Sequence, residues 1–396
     1  MFDAGMRGAF SYDMTHRESE IRIRRDSCWN TALQAIGDSV TREWVRLLFV
    51  AGLLSTTASA MEPTWTQVGE TVYGARPDDR GPISGGEGYI GVVTAGHYQV
   101  DNVDSLLVAL AGARAGEVVF IPGESVIDLT ARIYIEGLVL EIPAGVTLAG
   151  NRGQEGSQGP LLVSDALKTP VMIRAMGPGV RITGLQIQGP NPKRYLAHHR
   201  RSFQEGKGRS YYYEFPTSDG IVAAHDSMEV DNCEISGFAH AGIFLKAGVG
   251  HEIHHNFIHH NQYNGLGYGV THDSASSLIE YNHFDFNRHS IAGTGRPGCS
   301  YVARHNVELG TSLSHCFDMH GGRDRKDGTD IAGTSILIHN NTFRAPKRAV
   351  VIRGTPEGQC EVKQNWFPVH ESESLAVRAS ERTTVHDNLY GEDEIK

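Results

Sequence analysis

Short apolar pairs that read as strands recur along the second half of this chain, each directly beside an Asn. The intervals between these Asn residues are 24, 26, 24, 35, 24 and 23 residues. A period in this range is typical of stacked supersecondary units, each with room for about three short strands. The pattern therefore predicts a β-solenoid in which each inward Asn stacks on its equivalent one coil away. The repeated residues are Asn232, Asn256, Asn282, Asn306, Asn341, Asn365 and Asn388.

One strand per coil can be aligned from Gly220 onward, and the alternation of a strand assigns its side chains to two faces. Residues of one face on successive coils then form rows with a spacing of about 4.8 Å. The inward rows are Ile221, Ile243, Tyr268, Ile291, Phe317 and Val350, and Ala223, Leu245, Val270, Gly293, Met319 and Ile352. The outward rows are Ala224, Lys246, Thr271, Thr294, His320 and Arg353, and Val222, Phe244, Gly269, Ala292, Asp318 and Val351.

A short helix is expected before the first strands. Asp101-Asn102 offers an N-cap, and Leu106, Leu107 and Leu110 follow at helical spacing within Val103 to Arg114. Such a helix would cover the open core and the unpaired edge at the end of a solenoid.

The predicted domain organisation is a leader over 1–60, an irregular segment over 61–100 and one solenoid domain over 101–392. Two insertions, 190–217 and 321–333, interrupt the repeat. The leader ends in a basic flank, a short apolar run and Ala58-Ser59-Ala60, which is typical of a secretory signal peptide over 45–60. The run is too short for a stable membrane span. We expect the leader to be removed and the protein to be secreted or periplasmic; a hydrophobic helix of the folded domain is the alternative.

Composition narrows the classes of function. The net charge of −10 disfavours generic binding to nucleic acid. The five Cys residues are far apart and include no Cys-x-x-Cys, which argues against a zinc ribbon or a disulfide-dense scaffold. Four of them are expected to be buried between coils, with pairing as the alternative: Cys233, Cys299, Cys316 and Cys360.

The helix before the first strands, the early coil Gly145 to Gly150 and the Asn repeat together resemble the pectate-lyase-like superfamily of right-handed parallel β-helices. The resemblance covers residues 101 to about 390. It implies an all-β fold, the right-handed parallel β-helix with a short N-terminal capping helix, and a substrate that lies along one parallel sheet. It also implies an enzyme that cuts acidic polysaccharides.

In alginate- and dermatan-cleaving members of that superfamily, a Lys and an Arg of the sheet serve as base and carboxylate binder, with calcium. Lys246 and Arg353 occupy similar repeat contexts, although four coils separate them here. No cofactor follows from the residues themselves, and calcium is the one that the resemblance implies. The acidic spacing within Arg323 to Asp330 does not match a full calcium loop.

The outward rows carry the candidate catalytic residues. Asp318 and His320 share a face at i and i+2, so the carboxylate can orient the imidazole or raise its pKa. An imidazole with a pKa near neutrality suits proton abstraction, which makes His320 the expected base. Arg353, Lys246 and Arg296 are the candidates that bind and neutralise a substrate carboxylate. The remaining candidates flank the same strands: His289 and His315 before them, and His272 after one of them.

The acid that protonates the leaving oxygen stays open among His289, His315 and a Tyr of the first insertion. A separate group of His residues has spacing that permits metal chelation, although His in repeat turns more often satisfies backbone groups. These residues are His251, His254, His255, His259 and His260.

The first insertion interleaves cations with aromatic residues, which suits binding to the carboxylates and rings of a glycan. A disordered charged loop is one alternative, and stacking of single-stranded nucleic acid is another. Export and the acidic composition count against nucleic acid. The predicted substrate-binding residues are Lys193, Arg194, Arg200, Arg201, Arg209, Tyr211, Tyr212 and Tyr213.

The leading hypothesis is a secreted, monomeric polysaccharide lyase that cleaves a uronic-acid polysaccharide by β-elimination. One alternative is a glycoside hydrolase, which needs two carboxylates about 5–10 Å apart. Asp318 would then need a partner such as Asp273 or Asp285. The other alternative is a β-helix that binds glycans without catalysis. The Arg-x-Pro-x-x-Arg motif of pectate lyases and the Gly-His-Gly motif of polygalacturonases are both absent from the sequence.

Overall fold

The computed structural model describes residues 62–190, 193–214, 216–261 and 266–391. For residues 193–196 and 199 it describes the backbone alone. The expected leader over 1–60 lies outside these ranges. Among the described residues, no helix is long and apolar enough to cross a membrane.

The chain winds into a parallel β-helix with three walls, and each wall is a parallel sheet. Sheet 1 contains Leu140–Ile142, Ile173–Ala175, Asp219–Ala223, His289–Gly293, Phe317–Met319, Val350–Ile352 and Val377–Arg378. Sheet 2 contains Tyr98–Gln99, Val118–Phe120, Thr147–Ala149, Arg181–Thr183, Glu229–Asp231, Ser300–Arg304, Ile336–His339, Cys360–Lys363 and Thr383–His386. Two long strands, Ala241–His254 and Tyr268–Glu280, run through both sheets and join them.

Sheet 3 closes the coil on the remaining side. Its strands are Val126–Asp128, Leu161–Val163, Gln186–Gln188, Glu234–Ser236, Phe257–His259, His283–Asp285, Val307–Glu308, Thr342–Phe343, Trp366–Phe367 and Leu389–Tyr390. The predicted all-β parallel β-helix is therefore confirmed. Inward residues of the three sheets form one continuous apolar core.

The Asn ladder stabilises the turn between sheets 2 and 3. Asn256 Nδ2 donates to Asn282 Oδ1 at 3.0 Å, and the same bond repeats through Asn306, Asn341, Asn365 and Asn388. The residue before each ladder Asn has a positive φ of 49° to 53°. This conformation is unfavourable outside Gly, and the ladder with its flanking strands holds the backbone there.

Two details of the predicted register are wrong. Cys233, and not Asn232, occupies the ladder position of its coil, because the Cys233 amide donates to Asn256 Oδ1 and Asn232 has the positive φ of the preceding turn residue. In sheet 1, Val270 and not Tyr268 pairs with Ile243 and Ile291. The strand that contains Tyr268 is therefore shifted by two residues from the predicted alignment. The turns differ in length between coils, and sequence alternation does not report that difference.

Helix α1 (Val103–Gly112) confirms the predicted capping helix, with Asn102 as its N-cap and a capping box to Ser105. The sequence analysis did not identify helix α2 (Thr130–Glu136), whose Arg132 pairs with Asp104 of α1 at 2.8 Å. The insertions form α3 (Lys193–Phe203) and α4 (Gly208–Tyr213), and α5 (Gly322–Arg325). A last short helix, α6 (Glu373–Ala376), precedes the final coil, and one 3₁₀ turn spans Gln154–Gly156.

Residues 62–91, which we call the strap, cross the turns between sheets 2 and 3 on the outside of the solenoid. The strap begins with an antiparallel hairpin, Trp65–Val68 with Thr71–Gly74. Backbone bonds then tie Gly74 to Gln364 and Ser84 to Tyr281. Four Cys residues are free and buried, so the pairing alternative for Cys233, Cys299, Cys316 and Cys360 is wrong.

Candidate functional site

Asp318 lies at the centre of the candidate site. Its neighbours Phe317 and Met319 point into the core and fix the short strand, so Asp318 points outward. The carboxylate has no exposed surface, because other side chains cover it. Arg353, one coil further on, binds it in bidentate fashion: Nε lies 2.9 Å from Oδ1, and Nη2 bonds Oδ2.

Three imidazoles also approach this carboxylate. His315 Nε2 lies 3.1 Å from Oδ1, His320 Nε2 lies 2.9 Å from Oδ2, and His289 Nε2 lies 3.9 Å from Oδ2. We call His289, His315, Asp318, His320 and Arg353 the Asp318 cluster. The structure thus brings together five of the six residues that the sequence analysis proposed for catalysis.

The charges of the cluster follow from burial and contact. Burial raises the pKa of the Asp318 carboxyl, but contacts with His315, His320 and Arg353 outweigh burial and hold that pKa well below its usual range. Burial lowers the pKa of the His289 imidazole well below its usual value. The cluster therefore contains an ionised carboxylate and a neutral buried imidazole at neutral pH.

A cavity of about 360 Å³ opens beside the cluster. We call it the cationic cavity, because four of its side chains are basic besides His315. The lining is Leu313, Ser314, His315, Lys347, Arg348, Val351, Arg353 and Arg378. Lys347, Arg348 and Arg378 make no ion pair with any residue that the structure describes. The cavity thus offers positive charge that no carboxylate of the described chain neutralises.

Sequence analysis missed Lys347, Arg348 and Arg378. Lys347 and Arg348 lie in the turn before a strand, where alternation assigns no face. Arg378 could have been predicted from the sequence, because it pairs with Val351, which the alignment placed in an outward row. Tyr268 was also missed, since the alignment placed it in the core. It lies instead in a small outer cluster with Ala241 and Ala292, and its ring stacks on His289 with 5.8 Å between centroids.

Three predicted residues lie elsewhere. Lys246 is exposed on an earlier coil, with its ammonium 5.5 Å from the ring of Phe244, and it does not line the cavity. Arg296 pairs with Asp273 at 2.9 Å, outside the cluster. His272 does not reach the surface: its Nδ1 contacts the Ala292 carbonyl at 2.9 Å inside the solenoid, and burial lowers its pKa to about 4. The prediction of substrate contact by His272 is therefore wrong, because the register of its coil turns it inward.

The first insertion is helical and not a loop. Tyr212 is buried against Ala239 and Leu266, so its predicted contact with substrate is wrong; the ring anchors the insertion to the solenoid. Arg200 and Arg209 are exposed and Arg201 is partly exposed. Tyr213 is exposed beneath the guanidinium of Arg209, and Tyr211 is partly exposed beneath the ammonium of Lys207. The side chains of Lys193 and Arg194 lie outside the described part of the structure.

The predicted His-rich metal alternative is not supported. His254 and His255 contact each other and separate acidic residues, Glu229 and Asp78. His259 and His260 form a second pair on sheet 3. In the described part of the chain, the one group of at least three His, Cys, Asp or Glu side chains with ligand atoms within 4.8 Å is His289, His315 and Asp318.

Comparison with known proteins supports the fold. A family model described as a right handed beta helix region matches residues 212–389. Together with the parallel sheets of the structure, this match confirms the predicted right-handed parallel β-helix at the level of the fold. Comparison with curated protein sequences finds no match.

Several solved structures are similar at low sequence identity. The family 28 exopolygalacturonase of Yersinia enterocolitica aligns with a TM-score of 0.43 and 13% identity, over 76% of this chain and 64% of its own. The Dettilon tailspike protein (gp208) aligns at 0.38 and 12%, over 66% and 49%. The alginate lyase of Paenibacillus sp. str. FPU-7 aligns at 0.35 and 12%, over 74% and 97%. The chain spans less than two thirds of the length of the first two structures.

Proposed function

We propose that this protein is a lyase that cleaves a uronic-acid polysaccharide by β-elimination at the Asp318 cluster. The observation that carries the proposal is the cationic cavity, which is lined by His315 and Arg353, two of the side chains that hold the Asp318 carboxylate. Unpaired Lys347, Arg348 and Arg378 in a chain of net charge −10 support local recognition of an anion. A substrate carboxylate in this cavity would be neutralised, which acidifies the proton on the adjacent C5.

His320 is the proton acceptor of this proposal. Its side chain is 23% exposed, and its Nε2 lies 2.9 Å from the ionised Asp318. A proton on Nε2 is favoured by the carboxylate, and that tautomer leaves the lone pair of Nδ1 for C5–H. His289 has no exposed side-chain surface and cannot reach the substrate. When the proton moves to His320, the C4–O bond breaks and a C4–C5 double bond forms. The departing O4 oxygen takes up a proton, for which His315 in the cavity wall and solvent water are the available donors.

Hydrolysis has less support from the geometry. The general acid of a glycosidase needs a raised pKa, whereas the pKa of Asp318 is held low. The predicted partners do not approach it: Asp273 pairs with Arg296, and Asp285 belongs to sheet 3. Asp324 contacts Arg353 at 3.4 Å and shares that cation with Asp318. Its short exposed helix does not place it as a second buried acid.

The test is a panel of polyuronates incubated with the purified chain. Ultraviolet absorbance of the C4–C5 double bond and the appearance of reducing ends are followed together. Both signals together support elimination. Reducing ends without absorbance would establish hydrolysis, and retained binding without either signal would establish a non-catalytic glycan-binding protein.

Substitutions in the cationic cavity test whether this cavity binds the polyuronate. The double substitution Lys347→Gln and Arg348→Gln should raise KM for the cleaved polyuronate, because two charge-assisted contacts are lost. The matched control replaces Arg114 and Lys168, which are exposed and remote from the cavity, by Gln. An equal loss in the control pair would show that net charge alone, and not the cavity, binds the substrate.

Export and oligomeric state remain part of the proposal. Amino-terminal sequencing of the protein recovered from the medium or periplasm should place the new terminus just after Ala60. Light scattering of that material should give the mass of one chain.

A further inference from the structure

We infer that His289, His315 and Asp318 bind a divalent transition-metal ion, with Zn²⁺ as the expected occupant. The inference rests on the geometry of these three side chains and holds whether or not the protein is a lyase. Two sites of the molecule were candidates for metal, and the His-rich turns of the earlier coils are excluded by their separate pairings.

The distances between the ligand atoms suit a tetrahedral ion. Ligands about 2.1 Å from a tetrahedral Zn²⁺ lie about 3.4 Å from one another. His315 Nε2 and His289 Nε2 lie 3.1 Å and 3.9 Å from oxygens of Asp318, on either side of that value. The two imidazole rings are adjacent, with 4.0 Å between their centroids. One ligand atom of each of the three residues lies within 4.8 Å of the other two, so small rotations of the side chains would place all three around one ion.

The hydrogen bond of His289 supplies an independent argument. Its Nδ1 lies 2.5 Å from the carbonyl oxygen of His315, and since a carbonyl only accepts, Nδ1 carries the proton. In the neutral ring Nε2 then presents a lone pair. That buried atom makes no hydrogen bond to any described residue, and it faces the anionic Asp318. Two acceptors that face each other at 3.9 Å in a buried space repel each other, and a cation bound between them removes that repulsion.

Metal-binding His residues commonly donate their other ring N–H to a backbone carbonyl or a carboxylate, as His289 does here. Arg353 fits the same arrangement, because ligating carboxylates are themselves held by hydrogen bonds. A carboxylate has about four lone-pair sites, and Arg353 occupies two of them. The Nε2–H of His320 takes a third site on Oδ2, which leaves one site on Oδ1, toward His315. Arg353 is therefore a positioning residue for Asp318 in this inference.

The ligand types select the metal. Two imidazole nitrogens and one carboxylate suit Zn²⁺ and its transition-metal neighbours, whereas Ca²⁺ takes six to eight oxygen ligands. The calcium that the family resemblance implied is thus replaced by a transition metal at this site. Zinc sites with three protein ligands keep a fourth position open. His315 lines the cationic cavity, so an anion in that cavity lies next to the open position.

The experiment is titration of the chelator-treated full chain with Zn²⁺, without any polysaccharide. Calorimetry should show about one bound ion per chain, and Co²⁺ in its place should give the visible absorption of a tetrahedral ion. His289→Ala should weaken Zn²⁺ binding at least about tenfold, since outer-shell changes alone cost about 10–100-fold. His225→Ala, at an exposed His away from the cluster, is the matched control.

His289→Gln is measured beside His289→Ala, so that a folding defect in one variant does not decide the result. Circular dichroism and the melting curve identify the folded variants. Wild-type-like Zn²⁺ binding in a folded His289 variant, or no stoichiometric binding by the wild type, would overturn the inference. Since no substrate is present, absence of lyase activity leaves this result unaffected, and a bound metal with no lyase activity would count against the proposed function alone.

Discussion

The Asp318 cluster and the contact zone under the strap are built from the same residue types, yet their contacts differ. Under the strap, Asp231 accepts two bonds from Arg181 at 2.9 and 2.8 Å, one from Tyr89 at 2.9 Å and one from Thr183 at 2.9 Å. Glu280 is held by Arg80 at 2.5 Å and Arg304 at 2.6 Å. Each carboxylate is paired with at least one Arg and is buried.

At Asp318, an Arg also binds the carboxylate, but the buried Nε2 of His289 beside it forms no hydrogen bond with any described residue. A cavity with uncompensated positive charge adjoins it. Buried polar groups without partners are rare in folded proteins and indicate an ion, a proton transfer or a ligand. The comparison therefore distinguishes a structural charge network under the strap from a site at Asp318 that still has groups available to bind a ligand or transfer a proton.

A third carboxyl completes the comparison. Glu308 is fully buried in sheet 3 without an Arg, and burial raises its pKa to about 8. An isolated buried carboxyl thus becomes neutral, whereas the contacts of Asp318 with Arg353, His315 and His320 hold the pKa of that carboxyl well below its usual range.

The largest expected effect is at the proposed proton acceptor. His320→Ala should lower kcat on the cleaved polyuronate by about 10²–10⁴-fold, the usual contribution of a general base. The melting temperature should change little, because the ring is partly exposed. Steady-state kinetics and thermal melts of this variant and His225→Ala are compared. Undiminished turnover in His320→Ala would remove His320 from the mechanism.

A substitution in the charge network under the strap should lower stability and leave activity nearly unchanged. Asp231→Ala removes a fully buried carboxylate and leaves Arg181, Tyr89 and Thr183 without this acceptor, although Arg181 keeps Glu229 at 3.4 Å. The loss should cost about 3–5 kcal/mol of stability. Denaturant unfolding measures the loss. The activity per folded molecule should stay near that of the wild type, and a large loss of kcat with unchanged stability would show that the strap network belongs to the active site.

Glu308 gives a pH-dependent prediction. Its folded-state pKa of about 8 exceeds the unfolded value of 4.5. The neutral form is therefore favoured by folding, and stability falls as pH rises from about 4.5 through 8. The loss should reach at most about 5 kcal/mol. Glu308→Gln should flatten this dependence in melts at pH 5, 6.5 and 8, and parallel curves for both proteins would contradict the assignment.

The smallest effect concerns one hydrogen bond under the strap. Tyr89→Phe removes the hydroxyl that bonds Asp231 at 2.9 Å, while Arg181 and Thr183 remain. We expect a loss of about 1 kcal/mol. A shift of the denaturation midpoint as large as that of Asp231→Ala would show that the strap, and not the Arg pair, holds this carboxylate.

Much of the site followed from the sequence. The alignment of one strand per coil placed Asp318 and His320 on one outward face, with Arg353 on the next coil. His289 and His315 were added because they precede their strands at equivalent positions. These residues lie within or beside strands, where alternation fixes the face of a side chain. His272 and Tyr268 were misplaced because the length of a turn sets the register of the next strand, and the sequence does not show how many residues a turn consumes.

The sequence by itself determined the solenoid, since an Asn repeat with a fixed period permits a ladder only when coils stack in parallel. Only the tertiary structure decided which outward groups are covered, which charges are compensated and where a cavity opens. Those properties depend on turns, insertions and a strap from distant parts of the chain, whose positions are set by three-dimensional packing and not by local alternation. The unpaired cations of the cavity and the buried lone pair of His289 became visible for that reason alone.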